Sequence, residues 1–304
     1  MSAATLTIGS RGSLLALWQA HHIAQCLKAL GVETRIEVIR TTGDHLQTAS
    51  LAQAGGKGLF TKEIEEALLA GHIDLAVHSL KDLPTDSPEG LDIAAIPLRQ
   101  DPHDALVGRT VAQLPMGARV GTSSQRRSAQ LLLLRPDLVI EPIRGNVDTR
   151  IRKVKDGQYA AILLAVAGLR RLGLEQEIAQ VLTTQEMCPA PGQGALAVQT
   201  RTHGEAKDIC RRLDDPSTRQ AVTCERALLA ALGGGCQLPV GALAETDGGA
   251  LKVSAIIVSP GGGQVVRANS TGAASHAVAL GEALAADLLA RGGSEILESL
   301  AAAP

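Results

Sequence analysis

Aromatic side chains are scarce in this sequence. Its 304 residues hold one tryptophan, one phenylalanine and one tyrosine, namely Trp18, Phe60 and Tyr159. Proteins that bind single-stranded nucleic acid stack its bases on aromatic rings, so this scarcity argues against such a platform. The net charge of −2 argues equally against an overall basic surface for a polyanion. We therefore expect no nucleic acid among the partners of the chain.

Cysteine pairs, metal motifs and long apolar runs are also missing. The five cysteines lie far apart, and neither a C-x-x-C pair nor a Cys/His cluster with zinc spacing occurs. No stretch is apolar for long enough to span a membrane, and the opening MSAATLTIGS lacks the basic and apolar regions of a signal peptide. We expect a reduced, cytoplasmic enzyme with no metal ion and no membrane partner.

Strand and helix signals alternate along most of the chain. Strands are predicted at 5–9, 34–39, 72–79 and 159–168. Ser13 is placed to cap a helix after the first of them. In the last part the predicted elements are a helix at 217–232, strands at 251–258 and 264–270, and a helix at 277–290. This order predicts two α/β domains with mostly parallel sheets, followed by a small α+β domain.

Positive charge is concentrated in the middle of the chain. The segment 119–171 holds eleven basic and four acidic residues, a local charge of +7. Ligands of open α/β sheets bind beyond the carboxyl ends of strands, where basic or hydroxyl residues recur here. These are Arg11, Ser13, Thr122, Ser123, Ser124, Arg126, Arg127, Arg144, Arg150, Arg170 and Arg171. Because arginine pairs with planar anions and no P-loop spacing occurs, we predict a ligand with several carboxylates; solvated helix arginines are the alternative.

One carboxylate interrupts this basic pattern. Asp82 lies in HSLKDLP, just past the carboxyl end of a predicted strand, where it could transfer protons or stabilise a passing cation. Lys81 beside it favours the ionised form of that carboxylate. The alternative is an ordinary loop aspartate that caps a turn. We expect His78, at the end of the same strand, to be a hydrogen-bonded histidine and not a ligand.

A cysteine follows three glycines in LGGGCQLPVG, residues 232–241. The glycines leave room for a large group beside Cys236, and ordering them costs conformational entropy. Cys236 therefore either carries or attacks a ligand, or is one small apolar residue in a turn. No activating neighbour in the loop decides between the two. Cys224, on the preceding helix, is predicted to be a core residue.

Eight segments occur together in an order that is typical of one family. They are SRGSLLALWQA (10–20), GGKGLF (55–60), AVHSLKDLP (76–84), GTSSQRR (121–127), RGNVDTR (144–150), LAVAGLRRLG (164–173), PGQGA (191–195) and ERALLAALGGGCQLPVG (225–241). With these segments the chain resembles the porphobilinogen deaminases, also called hydroxymethylbilane synthases, over nearly its whole length. Leu14, Gln125 and Leu238 depart from the family pattern, and none of them is a reacting group.

The resemblance implies a fold and an activity. The fold would be α/β, with two doubly wound periplasmic-binding-protein-like domains, at 1–98 with 194–213 and at 99–193, and a smaller α+β C-terminal domain at 214–304. The enzyme would be a monomeric transferase of haem biosynthesis that joins four porphobilinogen molecules head to tail with loss of ammonia. A dipyrromethane cofactor, linked to Cys236 by a thioether, would prime the chain. Hydrolysis would then release the linear tetrapyrrole hydroxymethylbilane.

The resemblance also implies a role for each matching residue. Asp82 would be the catalytic residue, which stabilises the cationic azafulvene left by the loss of ammonia. The cofactor would be held, besides Cys236, by Lys81, Asp82, Thr122, Ser123, Ser124, Arg126, Arg127, Arg144 and Gly145. Substrate would be bound by Arg11, Ser13, Arg144, Arg150, Arg171 and Gln193. Of these, Gln193 would lie at the return crossing between the two α/β domains, and Lys57 and Phe60 would belong to a mobile loop.

Two other functions stay open on the residues alone. A periplasmic-type anion binder would also have two α/β domains and many arginines, but it gives Cys236 no role. A cysteine-nucleophile hydrolase or acyl transferase would need a histidine base near Cys236, and the spacing of His78 does not support one. A retained pyrrole pigment would separate the deaminase from both.

Overall fold

The computed structural model describes residues 5–42, 61–234 and 238–301. It divides into two compact units. The first unit comprises the chain up to Arg99 together with Ala195–Arg219, and the second comprises Gln100–Gly194 together with the chain from Gln220 onwards. Each unit is built on its own sheets.

The described elements alternate between strand and helix for most of the chain. The strands are β1 (Leu6–Ser10), β2 (Thr34–Val38), β3 (Leu75–Ser79), β4 (Leu91–Ala95), β5 (Asp104–Val107), β6 (Arg119–Gly121), β7 (Val139–Glu141), β8 (Ala161–Ala165), β9 (Ile178–Val181), β10 (Leu196–Arg201), β11 (Val240–Asp247), β12 (Ala250–Val258) and β13 (Val265–Ala273). The helices are α1 (Leu14–Ala29), α2 (Lys62–Leu69), α3 (Gln125–Leu134), α4 (Val147–Lys155), α5 (Val166–Arg171), α6 (Glu205–Arg211), α7 (Pro216–Ala231), α8 (Ala277–Leu288) and α9 (Ser294–Ala301).

The first unit has one five-stranded sheet in the order β2-β1-β3-β10-β4. β1 is parallel to both of its neighbours, and β10 is antiparallel to β3 and β4. Helix α1 begins where Ser13 Oγ accepts a hydrogen bond from Ala16 N (3.3 Å), as predicted. Its Ala20, Ile23 and Leu27 pack with Leu75 of β3 in the core of this unit. The parallel pairing brings the carboxyl ends of β1 and β3 to one edge of the sheet.

The second unit repeats this plan in a five-stranded sheet of order β7-β6-β8-β5-β9. β6 is parallel to β7 and β8, whereas β5 is antiparallel to β8 and β9. Apolar side chains are buried on both sheet faces, with Leu106 and Leu163 in one cluster and Ile162 and Leu164 in another. A strand sequence with little polar alternation follows from this two-sided burial.

A three-stranded antiparallel sheet, β11-β12-β13, completes the second unit. Its core joins Leu228 of α7 and Leu284 of α8 to the strands. The prediction of only two strands here was wrong, because β11 is an eight-residue strand. The chain also continues past α8 through a π-turn containing Gly292 (φ 104°) into α9, a helix that the sequence pattern did not predict. With two five-stranded sheets and a smaller three-stranded one, the predicted α/β fold class is confirmed. The expectation of mostly parallel sheets was wrong, because each five-stranded sheet has two parallel and two antiparallel strand pairs.

A small apolar cluster links two parts of the second unit. Ala129 of α3, Cys188, and Ile256 and Val258 of β12 are all buried together, with Leu133 packed against them. At the end of the β12–β13 hairpin, a side chain on Gly262 would meet the backbone of Leu132 and Leu133. The C-terminal sheet therefore packs directly on helix α3. Among the described residues, no helix is long and apolar enough to cross a membrane.

Candidate active site

A small pocket with polar and apolar walls lies at the carboxyl ends of β1 and β3 in the first unit. It encloses about 80 Å³. Its polar lining comprises Arg11, Ser13, Gln19, Thr61, His78, Ser79 and Asp82. Three of the predicted site residues, Arg11, Ser13 and Asp82, thus lie around one pocket, because the two strands that precede them are parallel neighbours.

The Asp82 carboxylate lies at the exposed rim of this pocket. A single 3₁₀ turn, Leu80–Asp82, follows β3, and the buried Leu80 fixes the turn to the core. Leu80 N also donates to Ala195 O (3.0 Å), which holds the turn on β10. Nearby, Gln19 Nε2 donates to Ser79 Oγ (2.8 Å). The turn therefore presents the Asp82 carboxylate to any ligand in the pocket.

His78 lines the same pocket as a neutral, buried side chain. Its Nε2 bonds Gln199 Oε1 (3.1 Å), and Gln199 Nε2 donates to Glu65 Oε1 (3.1 Å). The pKa of His78 is lowered to about 4, mainly by burial; the Gln199 hydrogen bond partly opposes this shift, and the Arg11 charge adds to it. The expectation of a hydrogen-bonded histidine is confirmed. Arg11, not His78, supplies positive charge to this pocket at neutral pH.

In the second unit, one buried carboxylate holds two arginines. Asp104 is fully buried at the start of β5, whereas Arg126 and Arg127, on the first turn of α3, are 4% and 7% exposed. Asp104 Oδ2 accepts from Arg126 Nη1 (2.7 Å). Asp104 Oδ1 lies 2.9 Å from Arg127 Nε and 2.7 Å from Arg127 Nη2. These two arginines form a buried ion-pair network at the strand ends.

Arg150 carries a third positive charge, which interacts with those of both Arg127 and Arg144. Arg150 Nε donates to Gly145 O (2.8 Å) in the turn before α4, where Gly145 has a φ of 106°. Burial, and then the charges of Arg127 and Arg144, lower the pKa of Arg150 to about 10. Such mutual repulsion between guanidinium groups is relieved when an anion binds among them. The cluster of Arg127, Arg144 and Arg150 is therefore a suitable carboxylate site.

The predicted hydroxyl ligands are used within the local fold. Ser123 Oγ donates to Ile143 O (2.8 Å) and accepts from Ile143 N (3.1 Å). Ser124 Oγ caps α3 by accepting from Arg127 N (3.4 Å). Thr122 Oγ1 accepts from Ser124 N (3.2 Å). These side chains shape the turn that carries the arginines, and their contact with a ligand stays a prediction.

Arg171 and Gln193 hold the two ends of the segment Gln100–Gly194. Arg171 Nε donates to Gln100 Oε1 and its Nη2 to Gly194 O, both at 2.7 Å. Gln193, fully buried, donates from Nε2 to Pro102 O (2.7 Å) and Asp104 Oδ1 (3.1 Å). Their polar groups thus serve the fold of the second unit, and a direct substrate contact stays a prediction.

Comparison with known proteins assigns the chain to a family. Residues 6–208 match the family model described as porphobilinogen deaminase, dipyromethane cofactor binding domain. Residues 219–290 match the model of the porphobilinogen deaminase C-terminal domain. The chain belongs to the porphobilinogen deaminase family.

Curated porphobilinogen deaminases match the chain over almost its entire length. The one from Syntrophobacter fumaroxidans is 45% identical, covering 99% of both chains. The one from Roseiflexus castenholzii is 50% identical, covering 96% of this chain and 98% of its own. Among solved structures, an ABC transporter periplasmic substrate-binding protein from Coxiella burnetii is similar over 68% of this chain and 91% of its own, with 13% identity and a TM-score of 0.44.

The activity, enzyme class and cofactor that the family resemblance implied are confirmed. The chain is a transferase of tetrapyrrole biosynthesis, a hydroxymethylbilane synthase acting on porphobilinogen. The matched domain is the one named for the dipyrromethane cofactor. Each pyrrole of this group carries two carboxylates, and the repulsion among Arg127, Arg144 and Arg150 is the electrostatic environment that such carboxylates neutralise. The donor set of the second unit therefore fits the cofactor.

Some deaminase site predictions lie outside the described residues. These are Cys236, Lys57 and Phe60. Among the described residues, no group of three or more His, Cys, Asp or Glu side chains could hold a metal ion. Cys224 is fully buried in the C-terminal core, as predicted. Burial raises the pKa of its thiol to about 12, with a further contribution from Glu225.

The acid that organises the basic site, Asp104, was not among the predicted site residues. Asp104 does not stand out in the sequence, because Asp101 lies only three residues before it and Arg126 lies 22 residues after it. A usable signal was present, since Asp104 directly precedes the apolar run ALV. A carboxylate at the start of a buried strand requires a partner cation, and a helix opening with two arginines supplies it.

Proposed function

We propose that the pocket of the first unit binds and activates porphobilinogen, while the arginines of the second unit hold the carboxylates of the dipyrromethane cofactor. The observation that carries the proposal is the placement of Arg11, Ser13 and the exposed Asp82 carboxylate around one pocket. The guanidinium of Arg11 is suited to a substrate carboxylate. The cofactor, when attached to Cys236, supplies the primer on which four porphobilinogen units are joined before hydrolytic release.

Asp82 is assigned the catalytic role. Its carboxylate stabilises the positive charge that develops on the pyrrole when ammonia leaves, and it moves protons at the pyrrole nitrogen. Near pH 7 His78 is neutral, because burial lowers its pKa to about 4, so it supplies no positive charge to the substrate. Arg11 and Ser13 orient the substrate, and Lys81, next to Asp82 in the chain, contributes positive charge for a carboxylate of the cofactor.

Several further assignments belong to the same proposal. The protein acts as a monomer in the cytoplasm and binds no nucleic acid. The chain is organised as three domains, at 1–98 with 194–213, at 99–193 and at 214–304. Arg144, Arg150 and Arg171, together with Gln193, serve the substrate.

The catalytic assignment is tested by Asp82→Asn. This change removes the charge and keeps the shape, so we expect normal folding and a turnover rate lower by about 10² to 10⁴. Asp86→Asn is the matched control, because Asp86 is an exposed aspartate of the same loop, and it should retain the wild-type rate. Wild-type turnover in Asp82→Asn would remove this carboxylate from the mechanism.

The covalent assignment is tested by the intact mass of the purified protein. We expect an excess equal to two linked pyrrole units, lost in Cys236→Ala and retained in Cys26→Ala, whose thiol is half-buried on α1. If the wild type carries no excess, incubation with porphobilinogen decides the matter. Absence of any mass gain after that incubation would favour the second candidate, a plain anion-binding protein, which the same arginines would also suit.

A further inference from the structure

The buried network around Asp104 contains more positive than negative charge. Two guanidinium groups, those of Arg126 and Arg127, share the single carboxylate of Asp104. The charge of Arg127 also acts on the neighbouring Arg150. If charge were the only factor, removing the negative charge of Asp104 would make this site more positive. Its attraction for an anion would then increase.

The hydrogen-bond geometry implies instead that loss of the Asp104 carboxylate would weaken anion binding. Arg126 Nη1 is held between Asp104 Oδ2 and Cys188 O, each at 2.7 Å. Arg127 presents Nε and Nη2 to Asp104 Oδ1 and donates from Nη1 to Leu163 O (3.0 Å). An arginine side chain has many rotamers. It binds a carboxylate well only when its planar guanidinium group, here called the fork, is held in one orientation. Asp104 bonds both guanidinium groups, that of Arg126 through Oδ2 and that of Arg127 through Oδ1.

The carboxylate of Asp104 is itself held in place. Gln193 Nε2 donates to Asp104 Oδ1 (3.1 Å) and to Pro102 O (2.7 Å). Asp104 is also fixed by its backbone, as the first residue of β5, where it pairs with Ala165 at the end of β8. The arginine forks are therefore oriented from the sheet itself, through a carboxylate that no solvent reaches.

We propose that Asp104 is a positioning residue for the cofactor, which orients Arg126 and Arg127 so that they can bind the carboxylates of dipyrromethane. This inference rests on the proposed role of the two arginines as cofactor ligands. Asp104 itself does not touch the cofactor. Its contribution is the orientation of the forks, which outweighs the negative charge that it adds to the site.

The test is cofactor loading of the full-length protein, because charge balance and positioning predict opposite signs. Apo-protein from cells that cannot make porphobilinogen is titrated with porphobilinogen, and the fraction that gains two pyrrole units is read by intact mass. For Asp104→Asn we expect the half-saturating concentration to rise about 10- to 100-fold, the range found when a residue that orients a ligating side chain is removed. An unchanged or lower concentration would overturn the proposal.

Asp137→Asn is the matched control. Asp137 forms a bidentate pair with Arg135 (2.7 and 2.8 Å) at the other end of α3, so its loss costs an Arg–Asp pair without touching the two forks. We expect its loading curve to overlay that of the wild type. A shift equal to that of Asp104→Asn would show that any broken ion pair on α3 has this effect, and would refute a specific role.

A double-mutant cycle and a milder variant complete the test. If Asp104 acts through Arg127, the effect of Asp104→Asn must shrink in an Arg127→Gln background, and full additivity would contradict the proposal. If Asp104→Asn does not fold, Asp104→Glu decides, because it keeps the charge and displaces the carboxylate from both guanidinium groups. It should raise the loading concentration in the same direction, and no rise refutes the inference. Failure of the wild type to load would instead refute the proposed function.

Discussion

The buried His78 makes the stability of the first unit depend on pH. Its pKa is about 4 in the folded protein, against an ordinary value of 6.5. Between pH 6.5 and pH 4 the unfolded chain therefore binds a proton that the folded chain excludes. The contribution of His78 to the free energy of unfolding is fully present above pH 6.5 and is lost as the pH falls toward 4. A shift of this size corresponds to about 3 kcal/mol at the acidic end.

The assay is chemical unfolding followed by the fluorescence of Trp18. This is the single tryptophan of the sequence, and it lies on α1 in the same unit as His78. The free energy of unfolding is measured from pH 7.5 to pH 4.5 for wild type and for His78→Gln, which stays neutral throughout. We expect the difference between the two proteins to shift by about 2 to 3 kcal/mol in favour of the variant as the pH falls.

The control for this prediction is an exposed histidine of the same unit. His21→Gln, on the solvent side of α1, should retain the wild-type pH dependence. Other buried or paired carboxylates contribute equally to wild type and variant, so they cancel in the comparison. Parallel curves for wild type and His78→Gln across this range would refute the argument that burial keeps His78 neutral.

Two further predictions concern backbone strain and thiol reactivity. Gly194 has a φ of 86°, and a side chain there would collide with Gln100 O, so Gly194→Ala should lower the unfolding free energy by about 2 to 4 kcal/mol, measured by denaturant titration. Gly117 has a similar φ of 70°, but a side chain there would meet open space, so Gly117→Ala should lower the unfolding free energy by only about 1 to 2 kcal/mol. Equal losses of unfolding free energy in the two variants would refute the predicted collision at Gly194. Burial raises the pKa of Cys188, Cys210 and Cys224 to about 12, so iodoacetamide at pH 8 should leave them unmodified in the native protein, as read by peptide mapping. Labelling at any of the three before unfolding would contradict the packing described.

The sequence pattern predicts most of the first-unit pocket because strand ends are readable. Periodicity locates β1 and β3, and the parallel arrangement then brings Arg11 and Asp82 to one edge of the sheet. The pattern does not predict which groups bond to one another. The pairing of Asp104 with Arg126 and Arg127 depends on the packing of α3 against β5, which no local signal specifies.

The local sequence pattern does not predict two elements of the C-terminal domain, β11 and α9. β11 begins with Val240-Gly241-Ala242, and glycine and alanine have low β-propensity, so burial on β12 and not intrinsic preference makes it a strand. A Cβ on Gly241 would collide with the backbone of Cys188, which explains the glycine. Helix α9 was missed because the pair Gly292-Gly293 is typical of a helix end, whereas here the chain turns through a π-helical segment and resumes.

The cluster of Ala129, Cys188, Ile256 and Val258 has a consequence for how the molecule could be divided. Through this cluster, α3, the helix that begins with the two arginines, makes an apolar contact with the C-terminal sheet. The contact lies on the side of α3 that faces away from the five-stranded sheet. A fragment that ended before β11 would leave that side of the helix in water. The C-terminal sheet is therefore a structural support for the anion site, and a destabilising substitution in β12 should weaken ligand binding without altering any residue that touches the ligand.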